Sequence, residues 1–136
     1  MLRLIGFLAA LSIVSPPQDR SSCLRYEPDT VRITGKLTRR MFYGPPNFGE
    51  TPNNDAKEIG FYLEPAAPIC TVASQDNEAK ERVRLVQLVL DSAGYARLRS
   101  RLGTSVTLRG TLFASITGHH HAPILLTVAK PVRVER

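Results

Sequence analysis

The sequence predicts a mainly β fold with five strands and one short helix. Five segments carry strand patterns, and a short amphipathic segment separates the third from the fourth. The first and fourth strand segments also share a pattern with a glycine at the same position. The order strand, strand, strand, helix, strand, strand is the plan of the OB-fold. We therefore expect an OB-fold-like five-stranded Greek-key barrel with one short helix between strands 3 and 4.

The first strand is predicted from Val31 to Tyr43, where apolar and polar residues alternate. Such alternation indicates a strand with one face on a core and the other in water. The predicted core face comprises Val31, Ile33, Gly35, Leu37 and Met41, and the solvent face comprises Arg32, Thr34, Lys36 and Arg40.

Two further strands follow a long loop rich in proline and glycine. Strand 2 is predicted from Glu58 to Glu64 and resumes over residues 69–72. Its inward residues are expected to be Ile59, Phe61 and Leu63. Strand 3 is predicted over residues 83–90, which are nearly all apolar, so we expect it to be covered on both faces.

The helix is predicted over residues 91–103. Asp91 or Ser92 can cap its start, and Gly103 suits the left-handed position at its end. An apolar stripe of Tyr95, Leu98 and Leu102 recurs at helical spacing. The arginines between them form either the solvated face of the helix or a binding patch; they are Arg97, Arg99 and Arg101.

Strand 4 is predicted over residues 105–116 and strand 5 over 124–129. The segments 31–37 and 106–112 share the pattern V-x-apolar-x-G-x-L. A glycine within a strand permits the sharp bend that a small closed barrel needs. Because strands 1 and 4 are neighbours in an OB-fold, finding this signal in both supports the predicted fold.

The N-terminus has the pattern of an export signal, and we expect a signal peptide at residues 1–15. Arg3 supplies a positive start, and the apolar run from Leu4 to Val14 has the length of a signal core rather than of a membrane span. The alternative is an amphipathic or buried first helix. The remaining chain divides into an N-terminal lead with Cys23, residues 16–29, and an OB-like β-barrel domain, residues 30–136. We expect an exported, periplasmic protein.

The two cysteines, Cys23 and Cys70, are expected to form a disulfide because cysteines in an exported chain pair naturally. Two buried free thiols are the alternative. The formal charge is +6, and removing Arg3 with the signal leaves 17 basic against 12 acidic residues, a charge of about +5. Such a surface attracts anionic lipid, acidic glycans or nucleic acid, but export argues against nucleic acid as a partner.

Two unusual loops are predicted to frame the binding face. In an OB-fold the loops after strands 1 and 4 lie at the same region of the barrel. Here they are residues 44–57, with three prolines, and residues 117–123, with three consecutive histidines. The predicted ligand-binding residues are Tyr43, Pro45, Pro46, Asn47, Phe48, His119, His120 and His121.

The histidines also suggest a metal site for zinc or copper, because neutral imidazole binds both ions well. In an extended segment His119 and His121 point the same way, so these two are the predicted ligands. A third ligand would come from the other loop, the candidates being Asp55, Glu50 and Asn47. The alternative is structural: imidazoles bonded to backbone, or stacked on Phe48 or Tyr43.

Motifs for enzymatic chemistry are missing from the sequence. It contains no G-x-S-x-G, H-E-x-x-H, phosphate-binding loop or dinucleotide fingerprint. Outward aromatic residues with basic neighbours are expected on the sheet and would suit stacking on bases or sugar rings. They are Phe42, Tyr62 and Phe113, alongside Arg32, Lys36 and Arg109. The sequence thus favours a binding protein over an enzyme.

Several motifs resemble a bacterial exported family known as domain of unknown function 4431. They are Cys23–Pro28, Gly44–Asn47, Pro68–Cys70, Val86–Leu88, Leu102–Gly103, Gly110–Phe113 and Thr117–His121. The similarity extends over nearly all of the chain after the signal. It implies export and a Cys23–Cys70 pair, and it implies no activity.

Three functions are compatible with these observations. The first is an exported binding module that holds a small ligand, a glycan or an envelope protein at the face framed by the two loops. The second is a metal-binding protein or metal-dependent enzyme that uses His119 and His121. The third is an inhibitor or accessory protein of a cell-envelope enzyme.

Overall fold

The computed structural model describes residues 22–136, so the predicted signal peptide lies outside the described residues. Five strands and one short helix make up this part of the chain. The elements are β1 (Thr30–Tyr43), β2 (Lys57–Glu64), β3 (Val86–Val89), α1 (Ser92–Leu98) with a 3₁₀ turn (Arg99–Arg101), β4 (Ser105–Ala114) and β5 (Ile124–Val128).

The five strands form one mixed sheet that closes into a ring in the order β1-β2-β3-β5-β4. Strands β3 and β5 run parallel, and the other neighbouring pairs are antiparallel. β4 closes the ring by pairing with β1, as expected from the sequence. The mainly β class and the helix between the third and fourth strands are confirmed.

The core fills the inside of the ring and is made by the alternating residues of β1, β2 and β4. Leu37, Leu63 and Leu108 are fully buried there. Met41 and Ile59, which were predicted to face the core, are instead 42% and 50% exposed. The reason lies in the pairing of β1, which bonds β4 only up to Lys36 and β2 from Lys36 onward. The end of the β1–β2 hairpin therefore projects beyond the ring.

The two glycine-containing segments pair with each other. Val31 lies opposite Gly110, and Gly35 lies opposite Val106. A Cβ atom on Gly110 would meet the carbonyl oxygen of Thr127 at 2.1 Å, and one on Gly35 would meet that of Glu64 at 2.8 Å. Neighbouring backbone thus approaches each glycine too closely for any other residue.

The helix begins as predicted, with the Asp91 carboxylate accepting a hydrogen bond from the backbone N–H of Gly94. It is shorter than expected because α1 ends at Leu98 and the chain continues as the 3₁₀ turn. Leu98 is fully buried, and Tyr95 and Leu102 pack against the core. Gly103 has the expected left-handed backbone, with φ of 83°.

Three predicted strand boundaries are wrong. β3 spans only residues 86–89 and is not covered on both faces, since Val89 is exposed. β4 ends at Ala114, leaving Ile116 75% exposed. Residues 69–72 form isolated bridges, Ile69 with Val83 and Thr71 with Leu24, rather than a continuation of β2. Ile116 lies beyond Ala114, the last residue of β4 that pairs with β5. Ile69 and Thr71 find their partners in Val83 and Leu24, outside the named strands.

Cys23 and Cys70 form the expected disulfide, which overturns the alternative of free thiols. The bond ties the lead to the segment after β2. Tyr26 adds to this anchor because its hydroxyl donates to the carbonyl of Glu78 and accepts from the hydroxyl of Thr71. Within residues 22–136, no helix has the length and apolar character needed to cross a membrane.

Candidate functional site

The loop 44–57 is built around the carboxylate of Asp55. This buried side chain accepts hydrogen bonds from the backbone N–H groups of Asn47 (2.9 Å), Gly49 (2.8 Å) and Thr51 (3.2 Å) and from the Thr51 hydroxyl (3.1 Å). Burial favours a higher pKa for Asp55, but these hydrogen bonds outweigh it and the pKa is lowered. Both carboxylate oxygens are thus used inside the loop.

The loop 117–123 lies against β3 through the side chain of Gln87. The backbone N–H of His121 donates to Gln87 Oε1 at 2.7 Å, and Gln87 Nε2 donates to the carbonyl of His119 at 3.2 Å. An amide side chain can both donate and accept, so one residue holds the loop at two points.

Glu58 joins two of the three histidines. Its Oε2 lies 2.6 Å from His121 Nε2, and its Oε1 is hydrogen-bonded to His119 Nδ1. Burial favours a higher pKa for Glu58, but the hydrogen bonds from His121 and His119 prevail and the pKa is lowered. Because an ionised carboxylate only accepts, His119 Nδ1 and His121 Nε2 carry the hydrogens. We call these three side chains the Glu58–histidine cluster.

His120 has a structural role on the other side of the loop. Its Nδ1 accepts a hydrogen bond from the backbone N–H of Ile116 at 3.0 Å, and its ring packs edge-on against Phe113 at 5.5 Å. An Nδ1 that accepts carries no proton. Burial, followed by the nearby charges of His119 and His121, lowers the pKa of His120. The ring is therefore held in its neutral form.

The aromatic residues predicted to be outward do not form an open platform. Tyr62 is only 1% exposed, and Phe42 packs on it at 5.5 Å between ring centroids. The ring of His121 then stacks on Phe42 at 4.7 Å, with the planes 4° apart. Burial, reinforced by Tyr95 and Glu58, raises the pKa of Tyr62 to about 12. Phe42 packs on the ring of Tyr62, and His121 stacks on Phe42 in turn. The prediction of an outward, open Tyr62 is therefore wrong.

The two loops meet at Phe48, which remains 49% exposed. Its ring packs edge-on against His119 at 6.3 Å. A Cβ atom on Gly118 would lie 2.8 Å from the Phe48 ring, so the absence of a side chain at Gly118 lets the loops touch. The juxtaposition of segments 44–57 and 117–123 expected from the sequence is thus present.

The other predicted ligand-binding residues lie around this contact. Pro45, Pro46 and Asn47 are exposed, and Tyr43 is half-buried beneath Gly49. The Asn47 side chain donates to the Thr51 hydroxyl at 2.8 Å and so belongs to the loop's own hydrogen bonds. The open part of the face therefore consists of Phe48, the prolines and His119.

The geometry does not favour a metal ion at His119 and His121. Their ring nitrogens are bonded directly to Glu58, and of the proposed third ligands Asp55 is engaged in its own loop. Two ligands of one tetrahedral zinc, each about 2 Å from the ion, lie roughly 3.3 Å apart, which exceeds the 2.6 Å between His121 Nε2 and Glu58 Oε2. Among residues 22–136, no group of three or more His, Cys, Asp or Glu side chains is arranged for a metal.

Sequence reasoning missed Glu58 and Gln87 as parts of this face. The alternation in β2 that placed Phe61 inward also placed Glu58 outward, so its orientation was available. What the pattern could not supply was the partner, since Glu58 and His121 are 63 positions apart.

Residues 85–134 match the family model described as Domain of unknown function (DUF4431). This part of the chain is similar to that family. The resemblance predicted from the sequence is confirmed over these residues, which include Gln87 and the three histidines. The DUF4431 match begins after Glu58 and the loop 44–57, so one half of the candidate face lies inside it and the other half before it. No curated protein and no solved structure matches the chain.

Proposed function

We propose that this protein is an exported OB-fold-like binding module that holds a glycan at the face framed by loops 44–57 and 117–123. The single observation that carries the proposal is the contact between the two loops, where Phe48 and His119 meet with both side chains accessible. The OB-fold assignment is supported by the strand order and by the parallel pairing of β3 with β5.

The chemistry of the face suits a sugar ring. A half-exposed aromatic ring offers an apolar surface for stacking, and adjacent polar groups can bond hydroxyls. Phe48 supplies the ring, and the accessible edge of His119 supplies a polar group beside it. Asp55 holds the loop that presents Phe48, and Gln87 holds the loop that presents His119. The face is therefore formed before a ligand binds, which lowers the entropic cost of binding.

Export is supported by the Cys23–Cys70 disulfide, which forms and persists in oxidising compartments. The predicted signal at residues 1–15 would deliver the chain there. We propose the periplasm as its location, and glycans of the cell envelope as the ligand class.

A glycan array that includes peptidoglycan fragments tests the proposal with three proteins. These are the wild type, Phe48→Ala, and the control Arg97→Ala on the exposed surface of α1. We expect one glycan class to bind the wild type and Arg97→Ala, and binding to fall about tenfold or more in Phe48→Ala, because a stacking contact is lost. Equal binding by all three proteins, or no glycan bound by any, would contradict it.

A partner protein and a metal ion are the alternative occupants. A pull-down from periplasmic extract that recovers one envelope protein with the wild type and not with Phe48→Ala would favour the docking alternative.

The metal alternative can be tested by calorimetric titration with zinc and with copper. The titration compares the wild type with a His119→Ala/His121→Ala double variant. Heat of binding in the wild type alone would favour a metal site and require Glu58 to release its hydrogen bonds.

A further inference from the structure

A second concave surface lies away from the Glu58–histidine cluster, between the projecting end of the β1–β2 hairpin and the 3₁₀ turn. It is a groove of about 590 Å³, lined by Arg39, Ile59, Phe61, Tyr95, Arg99 and Leu102. Since Glu58 and Ile59 are successive residues of β2, they point to opposite faces of the strand. The groove is therefore separate from the face proposed above.

The floor of the groove is apolar. Phe61 and Tyr95 pack edge-to-face at 4.9 Å and form its aromatic wall. Ile59 is half exposed there, and Leu102, which also lines the groove, packs against the core. The exposed Ile59 side chain and the neighbouring aromatic pair together form an apolar surface, and surfaces of this kind bind apolar groups.

The rim of the groove is positively charged. Arg39 and Arg99 are both exposed, and within residues 22–136 neither forms an ion pair. Among the described residues, the groove lining contains no acidic side chain. Guanidinium groups bind carboxylates through two parallel hydrogen bonds, and such charge-assisted bonds are stronger than neutral ones. The rim thus complements an anion, and the floor complements an apolar body.

We propose that this groove binds a free small carboxylate with an aromatic or short aliphatic body. The carboxylate would lie between Arg39 and Arg99, and the apolar body would contact Ile59, Phe61 and Leu102. The volume lies within the range of about 300–1,000 Å³ typical of small-molecule sites, which favours such a ligand over an extended peptide or a membrane surface.

Methyl NMR can test this with two matched probes, 4-phenylbutyrate and the uncharged 4-phenylbutanol. We expect 4-phenylbutyrate to shift the Ile59 and Leu102 methyl signals and to bind with a Kd of about 0.1–1 mM, as its size allows. The alcohol should bind about tenfold more weakly, because it cannot accept the charge-assisted bonds. Equal affinity of the two probes, or no shift at these methyl groups up to about 10 mM, would refute the site.

Variants separate this site from general attraction to a basic protein. Arg39→Gln and Arg99→Gln should each reduce 4-phenylbutyrate affinity about tenfold. The control Arg97→Gln removes an equal charge from α1 outside the groove and should leave affinity unchanged, as should Phe48→Ala in the other face. A loss of affinity in Arg97→Gln equal to that in Arg99→Gln would overturn the proposal.

One further arm addresses lipid. Sedimentation with phosphatidylglycerol vesicles should leave the protein in solution at 0.15 M salt. Sedimentation that depends on Arg39 and Arg99, in the absence of any response to 4-phenylbutyrate, would reject the small-molecule site in favour of a membrane surface.

Discussion

At the residue scale, the candidate face depends on Glu58. This one carboxylate receives hydrogen bonds from His119 and His121 and so joins the start of β2 to the loop 117–123. The side chain is one-quarter exposed, so its bonds are partly shielded from water. Glu58 is therefore a positioning residue for the face, although no short motif marks it in the sequence.

Glu58→Gln should lower the free energy of unfolding by about 1–2 kcal/mol at pH 7, because two charge-assisted hydrogen bonds become neutral or are lost. Since the folded pKa of Glu58 lies below 4.5, its contribution is present above that pH and is lost as the pH falls through the lowered folded value. Urea unfolding at pH 7 and pH 3 measures both effects. The exposed Glu50→Gln is the control, and a variant as stable as that control at pH 7 would contradict the role of Glu58.

His120 should titrate below pH 6.5, because its Nδ1 accepts a backbone hydrogen bond and burial opposes its charge. As the pH falls below 6.5, His120 becomes protonated in the unfolded chain while it is still neutral in the folded protein. Protonation therefore favours the unfolded state, and this group lowers the free energy of unfolding in acid. Ring-proton NMR against pH gives the midpoint directly. His120→Asn keeps a side chain that can accept the hydrogen bond but does not titrate, so it serves as the control for the pH dependence of stability. A midpoint at or above 6.5 would show that the ring is not held neutral.

At the element scale, β1 and β4 are the two strands that shape the ring. Their shared glycine pattern places Val31 opposite Gly110 and Gly35 opposite Val106. A small residue therefore always faces a branched one, and the neighbouring strand backbones come close at both glycines. The sharp curvature of the ring depends on these two positions.

Gly110→Ala should destabilise the protein by about 3 kcal/mol or more, since its Cβ would overlap the backbone carbonyl of Thr127 on β5. Thermal and urea unfolding measure the loss. Gly103→Asn is the matched control, because that position is open and asparagine tolerates its left-handed backbone. If Gly110→Ala lowers the free energy of unfolding no more than Gly103→Asn does, then β4 and β5 can move apart at Gly110 without destabilising the protein.

At the scale of the whole molecule, the disulfide holds the lead against the ring. It links residues 47 positions apart and adds to the bridge between Leu24 and Thr71. Within residues 22–136, the face of Phe48 and His119 and the groove of Arg39 and Arg99 are accessible surfaces with different chemistry. Both occur where the β1–β2 hairpin extends past the ring.

Cys23→Ser/Cys70→Ser should lower the free energy of unfolding by up to about 4 kcal/mol, the chain-entropy value for a loop of this length. Urea unfolding of the double variant, with reduced wild type as the control, measures the change. The two proteins should agree with each other. A difference from the oxidised wild type of under about 1 kcal/mol would mean that the lead is held without the bond.

Most of the fold is predictable from the sequence because its signals are local. Alternation along β1 determines which residues enter the core up to Leu37, and the Asp91 cap and Gly103 mark the helical segment. The glycines of β1 and β4 indicate the bend. Each of these signals depends on residues a few positions apart, where backbone geometry alone relates pattern to structure.

The tertiary structure decided which distant part of the chain covers or bonds each of these side chains. Met41 and Ile59 continue the apolar alternation but lie beyond the last strand that could cover them. Tyr62 has an outward position yet is buried, and the ring of Phe42, on which His121 stacks, packs against it. Glu58 bonds His121 across 63 positions. Alternation sets the direction of a side chain, whereas burial and pairing depend on distant chain that only ring closure brings near.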